Sequence, residues 1–88
     1  MKTILVVEDN ESNMYLITFI LSKYGYNVLQ ADGGEEGVRI ALIEKLDLIL
    51  MDIQLPDIDG YEATKRIRSS KAHCDVPIIA FMSYEMPG

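Results

Sequence analysis

A doubly wound parallel α/β sheet is the fold class that this 88-residue chain predicts, on three observations. Apolar runs of strand length recur without polar interruption: ILVV at 4–7, LILM at 48–51 and IIAFM within 76–82. Such runs read as strands buried on both faces, as parallel sheets require. The intervening stretches instead carry apolar residues at three- and four-residue spacing, the period of an amphipathic helix. Strict alternation of the two patterns implies right-handed parallel crossovers.

Taken in order, the first strand (4–7) ends at Glu8-Asp9-Asn10. Met14, Ile17, Leu21 and Tyr24 then mark a helix over 11–24, with Leu16 and Ile20 widening its apolar stripe. Asn10 or Ser12 can cap its start, and Gly25 suits the left-handed position beyond its end. Tyr15, Phe19 and Tyr24 read as core and rim of this helix. YNVLQA at 26–31 is a less apolar strand, so it belongs nearer an edge. Asp32-Gly33-Gly34 is a turn with a helix cap, followed by Val38, Ala41, Leu42 and Leu46 at helical spacing. After the third strand, Pro56 and Asp59-Gly60 mark a loop and a capped helix start. Tyr61, Thr64 and Ile67 form its apolar side, and Lys65, Arg66 and Arg68 its wet side. A polar loop at 69–75 leads to the last strand, where Pro77 is tolerable only near the start.

The length allows one small domain, and 49% hydrophobic residues are ample for a core. A net charge of −6 and a pI of about 4.5 argue against binding nucleic acid or an anionic membrane surface. Cys74 is the only cysteine, so neither an internal disulfide nor a thiolate zinc cluster can form. We read it as an inert or partly buried thiol, and the neighbouring His73 as solvated. No apolar stretch approaches the roughly 20 residues needed to span a bilayer, and the N-terminus lacks a signal-peptide pattern. A cytoplasmic chain is expected.

The chemistry lies at two strand ends. The stretch LDLILMDIQLPDIDG at 46–60 breaks from an apolar run to Asp52, and the first strand breaks to Glu8 and Asp9. Open α/β sheets place their ligands at such C-terminal strand ends. If these strands are neighbours, three carboxylates converge, and they cannot all stay ionised cheaply without a cation among them. Oxygen-only ligands favour a hard ion such as Mg2+. With a cation present, one carboxylate is free to act as a nucleophile toward phosphorus and form an acyl phosphate. Asp57 and Asp59 read as loop and cap residues rather than ligands.

VVEDN at the first strand end, LILMDIQLPDIDGYEA around Asp52 and VPIIAFMSYEMPG at the end resemble the receiver domain of two-component response regulators. The resemblance runs over the whole chain in order and spacing, and the Asp52 segment is similar to receivers of hybrid histidine kinases and single-domain cell-cycle regulators. It implies a flavodoxin-like topology with strand order 2-1-3-4-5, here truncated after the fourth strand. Members of this family are themselves an illustration of the rule that open α/β sheets bind ligands where the strand order reverses. The resemblance also implies that Asp52 accepts a phosphoryl group from a histidine kinase or histidine phosphotransfer protein. Mg2+ would be held by Glu8, Asp9, Asp52 and the backbone carbonyl of Gln54. The chain would then be a single, C-terminally incomplete receiver domain over 1–88, and a signalling partner rather than a metabolic enzyme.

Two departures from the family bear on this expectation. The family carries Ser or Thr five residues after the proline of the fourth strand, and here that position is Met82, with Ser83 one residue on. Ser83 serves as a substitute switch hydroxyl only if the backbone bends, since a one-residue slip reverses the face of a strand side chain. The family's fourth helix, fifth strand with its phosphate-binding lysine, and last helix have no counterpart in 1–88. The last strand would therefore be an apolar edge, and self-association through it is expected. Tyr84 falls where the family varies side chains that tune phosphorylation lifetime. The alternative function is a degenerate receiver acting only as an interaction or oligomerisation module. An aspartyl phosphohydrolase is a distant third reading, for want of room for a cap domain.

Overall fold

The computed structural model describes residues 1–70 and 75–82. Seven elements follow in the order β1 (Thr3–Val7), α1 (Glu11–Lys23), β2 (Asn27–Ala31), α2 (Gly34–Ile43), β3 (Leu48–Asp52), α3 (Gly60–Arg68) and β4 (Ile78–Phe81). The strands form one parallel sheet ordered β2-β1-β3-β4. β1 and β3 are interior, and they carry the uninterrupted runs ILVV and LILM. β2, whose sequence is the most polar of the four, lies at an edge as its composition predicts.

The pleat divides the side chains between two layers. Leu5 and Val7 of β1 and Ile49 and Met51 of β3 point to one face, where they pack with Val38 and Ala41 of α2 and Ala63 and Ile67 of α3. Leu5, Ile49, Met51 and Ile67 are fully buried. Each such side chain contributes about 1.5–3 kcal/mol relative to exposure. Ile4 and Val6 are buried on the opposite face, beneath α1. Gln30, of the same parity on β2, donates from Nε2 to Thr18 Oγ1 of α1 at 2.9 Å.

Local signals place the helix ends. Asn10 caps α1, its side chain accepting from the Asn13 amide at 2.9 Å, so Asn10 rather than Ser12 takes that role. Gly25 sits at φ 87° just beyond the helix, the left-handed conformation that glycine adopts without a Cβ penalty. Asp59 caps α3 by accepting from the Glu62 amide at 2.8 Å.

Three expectations about burial need correction. Tyr15 and Tyr24 are 71% and 79% exposed, Phe19, Leu16 and Ile20 are also exposed, and α1 has no buried residue. The helix packs on β1 and β2 through its half-buried Met14, Ile17 and Leu21, and no other described element covers its outer flank. Tyr15 and Phe19 instead stack on each other in solvent with centroids 6.2 Å apart, and Lys23 lies over the Phe19 ring. Tyr61 and Leu42 are exposed as well, so the inner lines of α3 and α2 run through Ala63 and Ile67, and Val38 and Ala41. The third correction concerns the outer half of the sheet. Leu48 and Leu50 of β3 are half-buried and Ile79 of β4 is exposed, because α1 does not reach across to this side.

Candidate functional site

β1 and β3 are adjacent and parallel, with Val7 opposite Met51. The next residue on each strand is an acid, so the register sets Glu8 beside Asp52. Oxygen atoms of Glu8, Asp9 and Asp52 all lie within 4.8 Å of one another. Glu8 and Asp52 are buried, at 1% and 0% exposure, while Asp9 faces solvent. The three carboxylates that the sequence sets at two strand ends are thus brought together by the fold.

Backbone amides hold the cluster in place. The Asn10 amide donates to Glu8 Oε1 at 3.1 Å, and the Gln54 amide donates to Asp52 Oδ1 at 3.0 Å. The Glu8 amide donates to the Ala31 carbonyl at 3.0 Å, which ties the pocket to the end of β2. Ile53, just after Asp52, donates to the Phe81 carbonyl at 2.9 Å and so ties it to β4. Beyond Ile53 the chain turns back into α3, where the Gly60 amide donates to the Ile53 carbonyl at 3.0 Å. A Cβ on Gly60 would come within 2.5 Å of the Asp52 carbonyl oxygen, so only glycine permits this approach of helix to strand end.

Glu8 Oε2 is buried and has no hydrogen-bond partner among the described residues. Burial pushes the Glu8 carboxyl up to about 7, and the facing Asp52 carboxyl, with which it can share a proton, adds to the rise. An orphaned buried carboxylate oxygen beside two further carboxylates is a donor set for a hard divalent cation, which would satisfy the oxygen and offset the repulsion. The residues present therefore fit Mg2+. A groove of about 650 Å3 opens beside Glu8 and Asp9, and Glu11, Met14, Tyr15, Gln30, Asp32 and Glu36 complete its lining.

The remaining candidates divide. Gln54 follows Asp52 by two residues, in the loop that its own amide pins to the Asp52 side chain. Met82 is the first residue past β4 and is 59% exposed. Ser83, His73, Cys74 and Tyr84 lie outside the described residues. One further contact leaves almost no trace in the sequence. Asp57 caps α2 from a distance, accepting from the amides of Gly34 and Glu35. Its only sequence signal is the pair Gly33-Gly34, which opens a helix with no side chain able to cap it.

The family model for the response regulator receiver domain matches residues 4–87. PilH of Pseudomonas aeruginosa is 39% identical over 79 residues, which are 90% of this chain and 65% of PilH. The polar-differentiation response regulator DivK of Brucella anthropi is 38% identical over 87 residues, 99% of this chain and 71% of DivK. The chain thus spans about two thirds of the length of these curated relatives. Among solved structures, the receiver domain of a Pseudomonas aeruginosa sensor histidine kinase superposes with a TM-score of 0.88 at 44% identity, over 90% of this chain and 65% of that one. That structure holds a magnesium ion coordinated in its active-site cleft. The response regulator TrrA of Thermotoga maritima, solved in complex with Mg2+ and BeF, superposes with a TM-score of 0.87 at 36% identity, over 96% of this chain and 71% of that one. With its parallel strand order, its acidic cluster and these likenesses, the chain belongs to the response regulator receiver family.

Proposed function

We propose that residues 1–88 belong to a single receiver domain that accepts a phosphoryl group on Asp52 in a Mg2+-dependent reaction. The observation that carries this reading is the meeting of Glu8, Asp9 and Asp52 at adjacent parallel strand ends, with Glu8 Oε2 buried and unpartnered among the described residues. Asp9 and Asp52 would hold the ion through their carboxylates, with Glu8 and the backbone carbonyl of Gln54 completing the protein's contribution. Bound there, Mg2+ would neutralise charge on the incoming phosphoryl oxygens and admit them to an acidic pocket.

Asp52 is the nucleophile. One of its carboxylate oxygens attacks phosphorus while the P–N bond to the donor imidazole breaks, and the electron pair leaves with the imidazole nitrogen. The Gln54 amide donates to Asp52 Oδ1 at 3.0 Å and so orients the carboxylate. The donor is a histidine kinase or a histidine phosphotransfer protein, and the domain is a signalling partner in the cytoplasm rather than a metabolic enzyme. Among the described residues no helix is long and apolar enough to cross a membrane. The acidic charge leaves nucleic acid an unsuitable partner.

Self-association through β4 belongs to the same reading. Among the described residues β4 pairs only with β3, and Ile79 of β4 is exposed. Ser83 is the hydroxyl we assign to the switch role in place of Met82.

Intact-mass measurement after incubation with Mg2+ and a small acyl-phosphate donor tests the reading, with Asp52→Asn as control. A single phosphoryl adduct, absent from the control and from chelator-treated samples, is expected. A folded wild-type chain that takes no adduct would move the assignment to an interaction module without phosphotransfer.

A further inference from the structure

The α2 helix begins without a cap of its own. Gly33 occupies the N-cap position and has no side chain to offer, although its φ of −160° and ψ of 169° would accommodate any residue. The amides at the start of a helix are left without intrahelical partners, and an uncapped start costs stability. Here the partner comes from the loop between β3 and α3. Asp57 Oδ1 accepts from the Gly34 amide at 2.8 Å, and Asp57 Oδ2 accepts from the Glu35 amide at 2.7 Å.

Both oxygens of one carboxylate are therefore engaged by successive amides of another element, 22 and 23 residues away in sequence. The contact is tight on both sides. A Cβ on Gly33 would meet the Asp57 carboxylate at 3.3 Å, and one on Gly34 would meet the Ile58 carbonyl oxygen at 2.8 Å. Ile58 itself packs against the core. On the outer side, Arg66 of α3 bridges to Glu35 of α2 at 2.9 Å. The backbone amides, first that of Glu35, hold the Asp57 carboxyl below the usual carboxylate range, so it stays ionised at neutral pH.

The loop that Asp57 ties down is the one that carries Gln54. That residue orients Asp52 through its amide, and its carbonyl is the ligand assigned above. Only Leu55 and Pro56 separate Gln54 from Asp57. A loop of this length has few ways to connect its ends once both are fixed.

We infer that Asp57 is a positioning residue: by tethering the β3–α3 loop to the start of α2, it holds Gln54 in the geometry that divalent-cation binding at Asp52 requires. The inference rests on the Mg2+-dependent phosphoacceptor reading. Capping alone would make Asp57 a stability residue, whereas the tether makes it a determinant of cation affinity. The two roles separate experimentally, because α2 can be given a cap that does not involve the loop.

The test is a Mg2+ titration followed by amide NMR shifts, with thermal unfolding on the same samples. It compares wild type, Asp57→Ala, Asp57→Asn and the double variant Gly33→Ser with Asp57→Ala. In Asp57→Ala the dissociation constant for Mg2+ is expected to rise about tenfold, the range seen when groups orienting a metal ligand are lost. Asp57→Asn keeps one acceptor oxygen but turns an N–H toward the second amide, so a smaller rise is expected. In the double variant the serine accepts from α2's own amides and recovers thermal stability, while the weakened Mg2+ affinity persists.

Unchanged affinity in Asp57→Ala would overturn the inference, and so would recovery of both properties in the double variant. A wild-type chain that binds no Mg2+ would overturn it as well. A wild-type chain that binds Mg2+ but takes no phosphoryl adduct would overturn the phosphoacceptor reading alone, with the tether still decided by the titration.

Discussion

The Glu8 and Asp52 carboxyls face each other at the ends of adjacent strands, both buried, and Glu8 Oε2 accepts no hydrogen bond from the described residues. Burial and the neighbouring carboxyl raise Glu8 from 4.5 to about 7. The folded chain therefore holds a proton on Glu8 more tightly than the unfolded chain does. Its contribution to stability is fully present below pH 4.5 and is lost as pH rises through about 7. The full loss amounts to about 3 kcal/mol. Urea unfolding in chelator at pH 4.5 and 7.5 should show this fall, and Glu8→Gln should remove most of it. Equal slopes for wild type and Glu8→Gln would show that Glu8 does not carry the effect.

Asp52→Asn relieves the same pair from the other side. Asparagine keeps an oxygen to accept the Gln54 amide but removes the charge that opposes ionisation of Glu8. Without Mg2+ at neutral pH, the variant should be more stable than wild type by about 1–2 kcal/mol. Saturating Mg2+ should raise the melting temperature of wild type and leave that of the variant nearly unmoved. A variant less stable than wild type in chelator would mean that the two carboxyls do not repel each other in the folded chain.

Gly60→Ala probes the closeness of α3 to the strand end. The new methyl would lie 2.5 Å from the Asp52 carbonyl oxygen and 2.9 Å from Ile53 Cα, and backbone atoms cannot rotate aside. Glycine-to-alanine exchange ordinarily favours a helix, so steric cost and propensity oppose each other here. Contacts this short dominate, and a destabilisation of about 2–3 kcal/mol is expected in denaturant unfolding. A gain in stability would show that α3 can move away from Asp52 at little cost.

How far the sequence reveals this arrangement depends on the kind of signal. Apolar runs that end at acids, at Val7-Glu8 and Met51-Asp52, report two buried strands and their functional ends together, because burial on both faces disfavours a polar residue before the C-terminal end of the strand. The edge position of β2 follows from Asn27 and Gln30 in the same way. The outer flank of α1 is not legible. Spacing shows that Leu16 and Ile20 lie near the apolar stripe, but it does not report which elements are present to cover them. The tether at Asp57 is hidden for a related reason: a cap supplied from a distant loop leaves in the helix's own sequence only an absence, Gly33. Nor does composition reveal that Asn10 satisfies Glu8 Oε1 and leaves Oε2 unpartnered among the described residues.

Met82 offers the last test. Phe81 lies opposite Asp52 in the parallel register, and its carbonyl accepts from the Ile53 amide at 2.9 Å. Met82 is therefore the first residue past β4, next to the residue paired with Asp52, and its exposed thioether has no hydrogen to donate. Met82→Thr would place a hydroxyl donor at this point. A hydrogen bond to a charged phosphoryl oxygen contributes about 1.5–3 kcal/mol. With limiting acyl-phosphate donor, the adduct on Asp52 should then rise about tenfold in intact-mass measurements. The substituted side chain is exposed, so stability should change by less than about 0.5 kcal/mol. Ser83→Ala, measured beside it, assigns the native hydroxyl: loss of adduct in Ser83→Ala without gain in Met82→Thr would mean that Ser83 already fills the role. Gain in Met82→Thr with no loss in Ser83→Ala would mean that wild type works without a switch hydroxyl.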